Sequence, residues 1–235
     1  MYPLVYFFGH AFPSYFLWTS LTACLCLWIL VKRATVDRRW ILDLYLVLMV
    51  ASLVGARLFH VVYEEPTYYY EDWTRIFELW KGGYVFFGGF LGAWACGVVY
   101  WKIRPSSEVS LSGLHDVFAP VVSFGYMFGR FGCLLAGCCY GRFCEMPWSL
   151  GGRHPTVLYS SLWELGVFLV LLGAEEKLKK KPGQLFWLWL GLHSLGRFII
   201  EFYRDDFRGP TLGISISGWI SVAFCLISTW RLQKT

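Results

Sequence analysis

Seven apolar runs, each close to the ~20 residues a helix needs to cross a bilayer, fill most of the 235-residue chain, and no other feature restricts its fold so strongly. They cover about residues 13–31, 41–63, 84–101, 111–128, 156–173, 184–203 and 213–230. Composition agrees: 16% of residues are charged, against about 25% in soluble domains. One water-soluble core of this size cannot hide 13 Trp, 14 Tyr and 20 Phe. The expected architecture is an all-α polytopic membrane protein, a single transmembrane domain over 1–235 with no room for a large soluble domain. No repeat is visible, inverted or direct, which argues against a transporter. The basic residues sit in short loops rather than in a nucleic-acid footprint.

Their distribution sets the expected orientation. Lys32, Arg33, Arg38 and Arg39 follow the first run. Lys102 and Arg104 follow the third, Lys177, Lys179, Lys180 and Lys181 the fifth, and Arg231 and Lys234 close the chain. The opposite loops carry Arg75, Lys81, Arg130, Arg142, Arg153, Arg204 and Arg208, diluted by acids such as Glu64, Glu65, Asp72 and Asp205. The richer set belongs in the cytoplasm, so the N-terminus is expected outside and the C-terminus inside. No lysine or arginine precedes Lys32 and no small-residue cleavage site follows the first run, which is therefore read as a retained anchor. Two outer segments are long. Residues 64–83 mix aromatics with charges, as suits the interface, and 129–155, rich in glycine and cysteine, is expected to be irregular. Gly88 and Gly92 have the spacing of a close helix contact, and a re-entrant start to the third run fits its glycines.

Ionisable groups inside the runs carry most of the functional information, because each charge at mid-membrane costs ~2.5–3.5 kcal/mol. Such groups must face one another or a wet cavity. Asp43 lies near the inner end of its run, within reach of water. His193, alone on an aromatic face, reads as a hydrogen-bonded core histidine. Arg197 and Glu201 share a helix face at i, i+4, with Arg204 one turn further out and Arg130 at the outer end of the fourth run. Three guanidiniums approaching one leaflet make a phosphate site, since their planar forks match its oxygens.

Several motifs, in order over nearly the whole chain, resemble those of the bacterial prolipoprotein diacylglyceryl transferases. GRFGCLLAGCCYG (129–141) is similar to the family signature, with Gly129, Arg130, Gly132 and Gly141 in place. DVFAP begins at Asp116, HPTVLY runs from His154 to Tyr159 with Glu164 following, and RFIIEFYR runs from Arg197 to Arg204. LVGARLFHVVY, which holds Arg57 and His60, and FFGGFLG, which holds Gly88 and Gly89, also resemble family segments; Tyr15 aligns with the tyrosine of the first span.

The resemblance implies a multi-pass protein of the bacterial inner membrane with its site facing the periplasm. It further implies transfer of a diacylglyceryl group from phosphatidylglycerol, or a similar anionic phospholipid, to the thiol of a prolipoprotein cysteine or a related acceptor. Arg130 and Arg197 would hold the lipid phosphate, with Glu201 orienting them. Tyr15, Arg57, Gly88, Gly89, Tyr159 and Arg204 would contact substrate. Asp116, Glu164, Gly129, Gly132 and Gly141 would support the scaffold. No cofactor is expected and no metal site is assigned. The chain departs from the family at Phe87, where a histidine is usual, and at Cys133, Ala136 and Cys138, which replace two asparagines and a glutamate. The general base is therefore sought among His60, His154, Glu201 and a cysteine thiolate near Arg130, with Cys133 and Cys138 as catalytic candidates.

Cys24, Cys26, Cys96 and Cys225 lie in apolar runs as small packing residues. Cys133, Cys138, Cys139 and Cys144 fall together on the outer side. They fit a structural disulfide, a four-thiolate metal site with atypical spacing, or a reactive thiolate acting as base or covalent relay. Two rival functions follow from these features, a membrane thiol oxidoreductase and a non-catalytic lipid-binding homologue.

Overall fold

The computed structural model describes residues 4–7, 9–178, 180–207 and 209–234. Lys179 and Arg208, counted above among the loop cations, lie outside them. A short hairpin, β1 (Leu4–Phe7) with β2 (His10–Pro13), leads into α1 (Ser14–Arg33). There follow α2 (Arg38–Phe59), the single-turn α3 (Pro66–Glu71), α4 (Phe86–Ile103), α5 (Leu111–Ala136), α6 (Thr156–Leu178) and α7 (Gln184–Glu201). A two-residue hairpin, β3 (Thr211–Leu212) with β4 (Ile214–Ser215), precedes α8 (Ile216–Lys234). The protein is an all-α, multi-pass membrane protein.

Among the described residues, five helical stretches are each long and apolar enough to cross a membrane: α1, α2 with its continuation to Glu64, α4, α5 and α6. The other two long helices, α7 and α8, are outside that group, and α7 shows why. Its interior face carries polar residues, with Gln184, His193, Ser194, Arg197 and Glu201 all buried. A helix that supplies the polar lining of a protein interior does not read as lipid-soluble. In α8, Ser221 and Ser228 are buried in the same way.

Hydropathy places the end of the fourth run at about residue 128, but α5 continues to Ala136. Arg130 and Cys133 thus stand on a helix rather than in an irregular loop. The helix stops where its backbone can turn. Gly137 adopts φ +73°, its N–H bonds Leu134 O at 3.3 Å, and the Cys138 N–H bonds Cys133 O at 3.2 Å. That pair of bonds is a Schellman C-cap with glycine at the left-handed position.

Contacts divide the chain into two compact units. The first comprises Met1–Arg33, Ser112–Phe207 and Gly218–Thr235. Here Trp18 stacks on Phe128 at 5.7 Å and donates its indole N–H to Phe128 O. Glu164, 1% exposed, accepts from Trp189 Nε1 and bonds His193 Nδ1, each at 2.9 Å, tying α6 to α7. Asp116 on α5 accepts the Gly183 N–H at 2.5 Å and the Phe186 N–H at 2.8 Å. It serves the start of α7 as an N-cap side chain would, because Gly183 has none to offer.

The second unit comprises Ala34–Leu111 and Arg208–Ser217. Asp37 caps α2 through the N–H groups of Arg39 and Trp40. α2 and α4 meet through glycines: a Cβ on Gly55 would lie 2.5 Å from Gly88 O, and one on Gly92 2.7 Å from Ala51 O. Residues 64–83 form α3 and two 3₁₀ turns. They close onto Arg57, which is 5% exposed. Its guanidinium donates to the carbonyls of Ile76, Gly82, Gly83, Arg75 and Glu78 at 2.5–3.5 Å. Asp43 is exposed and pairs with Arg104 at 3.3 Å.

Candidate active site

In the first unit, Tyr126, Arg130 and Cys133 repeat at i, i+4, i+7 along one face of α5, and His193, Arg197 and Glu201 at i, i+4, i+8 along α7. The two faces meet, with the Tyr126 and His193 rings edge to face at 4.6 Å. Arg130 donates to the Tyr126 hydroxyl and lies over its ring, 4.5 Å from the centroid. Arg197 donates to Glu201 Oε2 at 2.8 Å, and both are buried. Just past α7, Arg204 grips Asp206 through two parallel bonds of 2.8 and 2.5 Å. Those bonds, together with nearby Cys139, hold the Arg204 guanidinium charged, above its ordinary pKa, against the desolvation of its burial.

The three arginines lie within electrostatic range of one another. Two are matched by carboxylates. Among the described residues no carboxylate pairs with Arg130, so carboxylates balance only two of the three guanidiniums. An anion with several oxygens is the natural partner of such a group.

The backbone around the cluster is fixed by an antiparallel bridge between Gly141 and Arg204. Arg142 N–H bonds Tyr203 O and His154 N–H bonds Arg142 O, both at 2.9 Å. A Cβ on Gly141 would lie 2.5 Å from His154 O and 2.8 Å from Tyr203 O, so only glycine fits between those chains. A Cβ on Gly132 would meet Tyr15, Trp18 and Thr19 at ordinary contact distance, and one on Gly129 would meet nothing within 4 Å. Tyr15 is in range of Arg130 and of Cys133, Cys138 and Cys139. His154 Nδ1 lies 3.2 Å from the Tyr159 hydroxyl, which accepts from Trp148 Nε1 at 2.9 Å. A cavity of about 310 Å³ is lined by His154, Arg153, Thr156, Tyr140, Cys138 and Cys139. A second, of about 10 Å³ beside Arg197 and Glu164, has room for roughly one water.

All eight cysteines are free thiols. The sulfurs of Cys133, Cys138 and Cys139 lie within 4.8 Å of one another, and Cys144 is not part of that group. Hydrogen bonds from the Cys133 and Cys138 thiols, aided by Arg204 and Arg130, hold Cys139 well below the ordinary thiol pKa. The same bonding pushes Cys138 up. Residues 4–233 match the model of a family described as prolipoprotein diacylglyceryl transferase. The chain belongs to that family.

Three relatives named phosphatidylglycerol–prolipoprotein diacylglyceryl transferase place it further. The protein from Streptomyces avermitilis is 34% identical over 191 residues, 75% of this chain and 55% of that protein. Those from Clostridioides difficile (31% over 209 residues) and Thermosynechococcus vestitus (30% over 222) cover 86% and 87% of this chain and 82% and 80% of their own lengths. The chain spans about half the length of the Streptomyces relatives it matches.

Within this family member, three expected substrate contacts have other occupations. All five N–H donors of Arg57 are taken by loop carbonyls, which leaves none for a phosphate. A Cβ on Gly88 would meet Phe59 Cβ at 2.4 Å and one on Gly89 would meet Ser52 Oγ at 2.9 Å, so both are glycines because α2 packs there. His60 bonds the Tyr69 hydroxyl at 3.0 Å in the same unit. Two residues enter the site beyond the catalytic and substrate-contact candidates. Cys139, named in the sequence only as one of the four outer cysteines, owes its position to φ +60°, rare for a side-chain-bearing residue. Arg153 was counted only as a loop charge, although it follows the signature and immediately precedes His154.

Proposed function

We propose that this family member transfers the diacylglyceryl group of phosphatidylglycerol to the thiol of a prolipoprotein cysteine. One observation carries the reading: Arg130, without a carboxylate of its own, stands with the buried Arg197 and Arg204 in one cluster of guanidiniums. The acceptor sulfur attacks the glyceryl carbon that bears the phosphate ester and forms the C–S bond. The C–O bond breaks, and its electron pair leaves with glycerol phosphate. Preorganised guanidiniums at the departing phosphate stabilise that developing charge, the kind of contact worth about 10²–10³ in rate. The acceptor's proton goes to His154, which lines the larger cavity and is oriented by Tyr159.

Cysteine does not act as a covalent carrier in this scheme. A diacylglyceryl group on Cys133 or Cys138 would be a thioether, and its carbon would not be passed on. The protein sits in the bacterial inner membrane with the N-terminus and this site on the periplasmic side, as the loop charges argue.

The test is incubation of the purified protein in phosphatidylglycerol-containing micelles with a lipobox cysteine peptide, reading peptide mass. A diacylglyceryl-sized gain that disappears in Arg130→Ala supports the proposal. A gain that persists in Arg130→Ala removes the arginine cluster from the chemistry, and no gain beside an active relative excludes this reaction for this acceptor.

A further inference from the structure

The C-terminal turn of α5 builds a second constellation beside the arginine cluster. In a Schellman cap the third residue from the helix end and the second residue beyond it meet across the turn. Here those positions are Cys133 and Cys138, so the bond from the Cys138 N–H to Cys133 O also aligns two thiols. Gly137 at φ +73° and Cys139 at φ +60° place the residues on either side of Cys138 in left-handed conformations. The adjacent pair, which as sequence spacing is wrong for a chelate, thereby turns both sulfurs toward Cys133.

We infer that Cys133, Cys138 and Cys139 form a three-thiolate site for a thiophilic d¹⁰ cation, Zn²⁺ or Cu⁺. With metal–sulfur bonds of about 2.3 Å, three thiolates around one ion stand about 3.8–4.0 Å apart. The three sulfurs already lie within 4.8 Å of one another. A disulfide would use two of them and leave the third without a role. Cys138 and Cys139 also line the 310 Å³ cavity, so a fourth coordination position opens toward space that a small ligand can enter. Three thiolates carry three negative charges, and either ion leaves a net anionic complex. Arg130 and Arg204, both within electrostatic range of Cys139, compensate it. Binding forms three metal–sulfur bonds and releases to solvent the protons that the thiols still carry, with no change of oxidation state. The inference stands whether or not the transferase proposal does, because its readout is the ion.

The experiment is equilibrium dialysis of the purified full chain, reduced and in detergent, against Zn²⁺ alone and Cu⁺ alone. The expected result is one ion per chain and protection of three of the eight thiols from a maleimide, reversed by a chelator. Whichever ion does this identifies the source. Cys133→Ser, Cys138→Ser and Cys139→Ser should each weaken binding by more than about tenfold, and Cys24→Ser and Cys96→Ser should leave it unchanged. Should the serine variants fail to fold, peptide mapping of the wild type decides, since protection must fall within 133–139. Less than one ion per chain with both metals overturns the inference, as does protection at Cys144. So do thiols already unreactive before metal and recovered only by reductant, which would mark a disulfide.

Discussion

Glu201 holds Arg197 at 2.8 Å in a buried pair, so removing its carboxylate leaves a cation without its counter-charge. Glu201→Ala is expected to lower stability by about 3–5 kcal/mol, read as thermal unfolding in detergent. It should also leave phospholipid headgroup binding as tight or tighter, because the cluster gains net positive charge. Arg197→Lys should fail in the opposite sense. It preserves charge and loses the planar fork, so binding should weaken with little change in unfolding temperature. The three arginines that the structure brings together were legible in the sequence because charge inside an apolar run must find company. Arg57 was not legible in the same way: a guanidinium aimed at carbonyls and one aimed at a phosphate look identical in a sequence. Cys139 was legible only as a member of the outer cysteine group, since its exact place depends on a backbone angle rather than on residue type.

At the scale of elements, hydropathy finds the helices because burial in lipid depends on composition, and the observed starts fall within a few residues of those expected. It misses where α5 stops. Apolar character fades near Gly129, but a helix ends only where its last carbonyls find partners, and here the glycine-led turn after Ala136 supplies them. The seam of α2 and α4 gives an independent test. An added Cβ at Gly55 would press on the backbone of Gly88, so no side-chain rotation relieves it. Gly55→Ala should cost about 1–3 kcal/mol by overpacking, whereas Gly166→Ala, with nothing within 4 Å, should be neutral or better in its helix. Paired thermal unfolding curves would show the difference.

For the whole molecule, basic residues gather in the last turns of α1, α4, α6 and α8. The orientation argued from them predicts that alkaline phosphatase fused after Glu145 is active in cells and that the same enzyme fused after Arg104 is silent. The reverse pattern would invert the protein and place the arginine cluster on the cytoplasmic side.

The single side chain of Arg57 has a consequence for failure. The stretch from Arg75 to Gly83 is fastened to α2 at five carbonyls, all by one guanidinium. Five rivets driven through one plate do not loosen one at a time. Arg57→Ala should therefore release the segment as a piece, with protease cleavage appearing between Ile76 and Gly83 while the helices on either side stay intact. Lysine there, with three donors instead of five, should give an intermediate rate of cutting. In that sense the segment behaves as a clasp with a single pin, and its order is all or nothing.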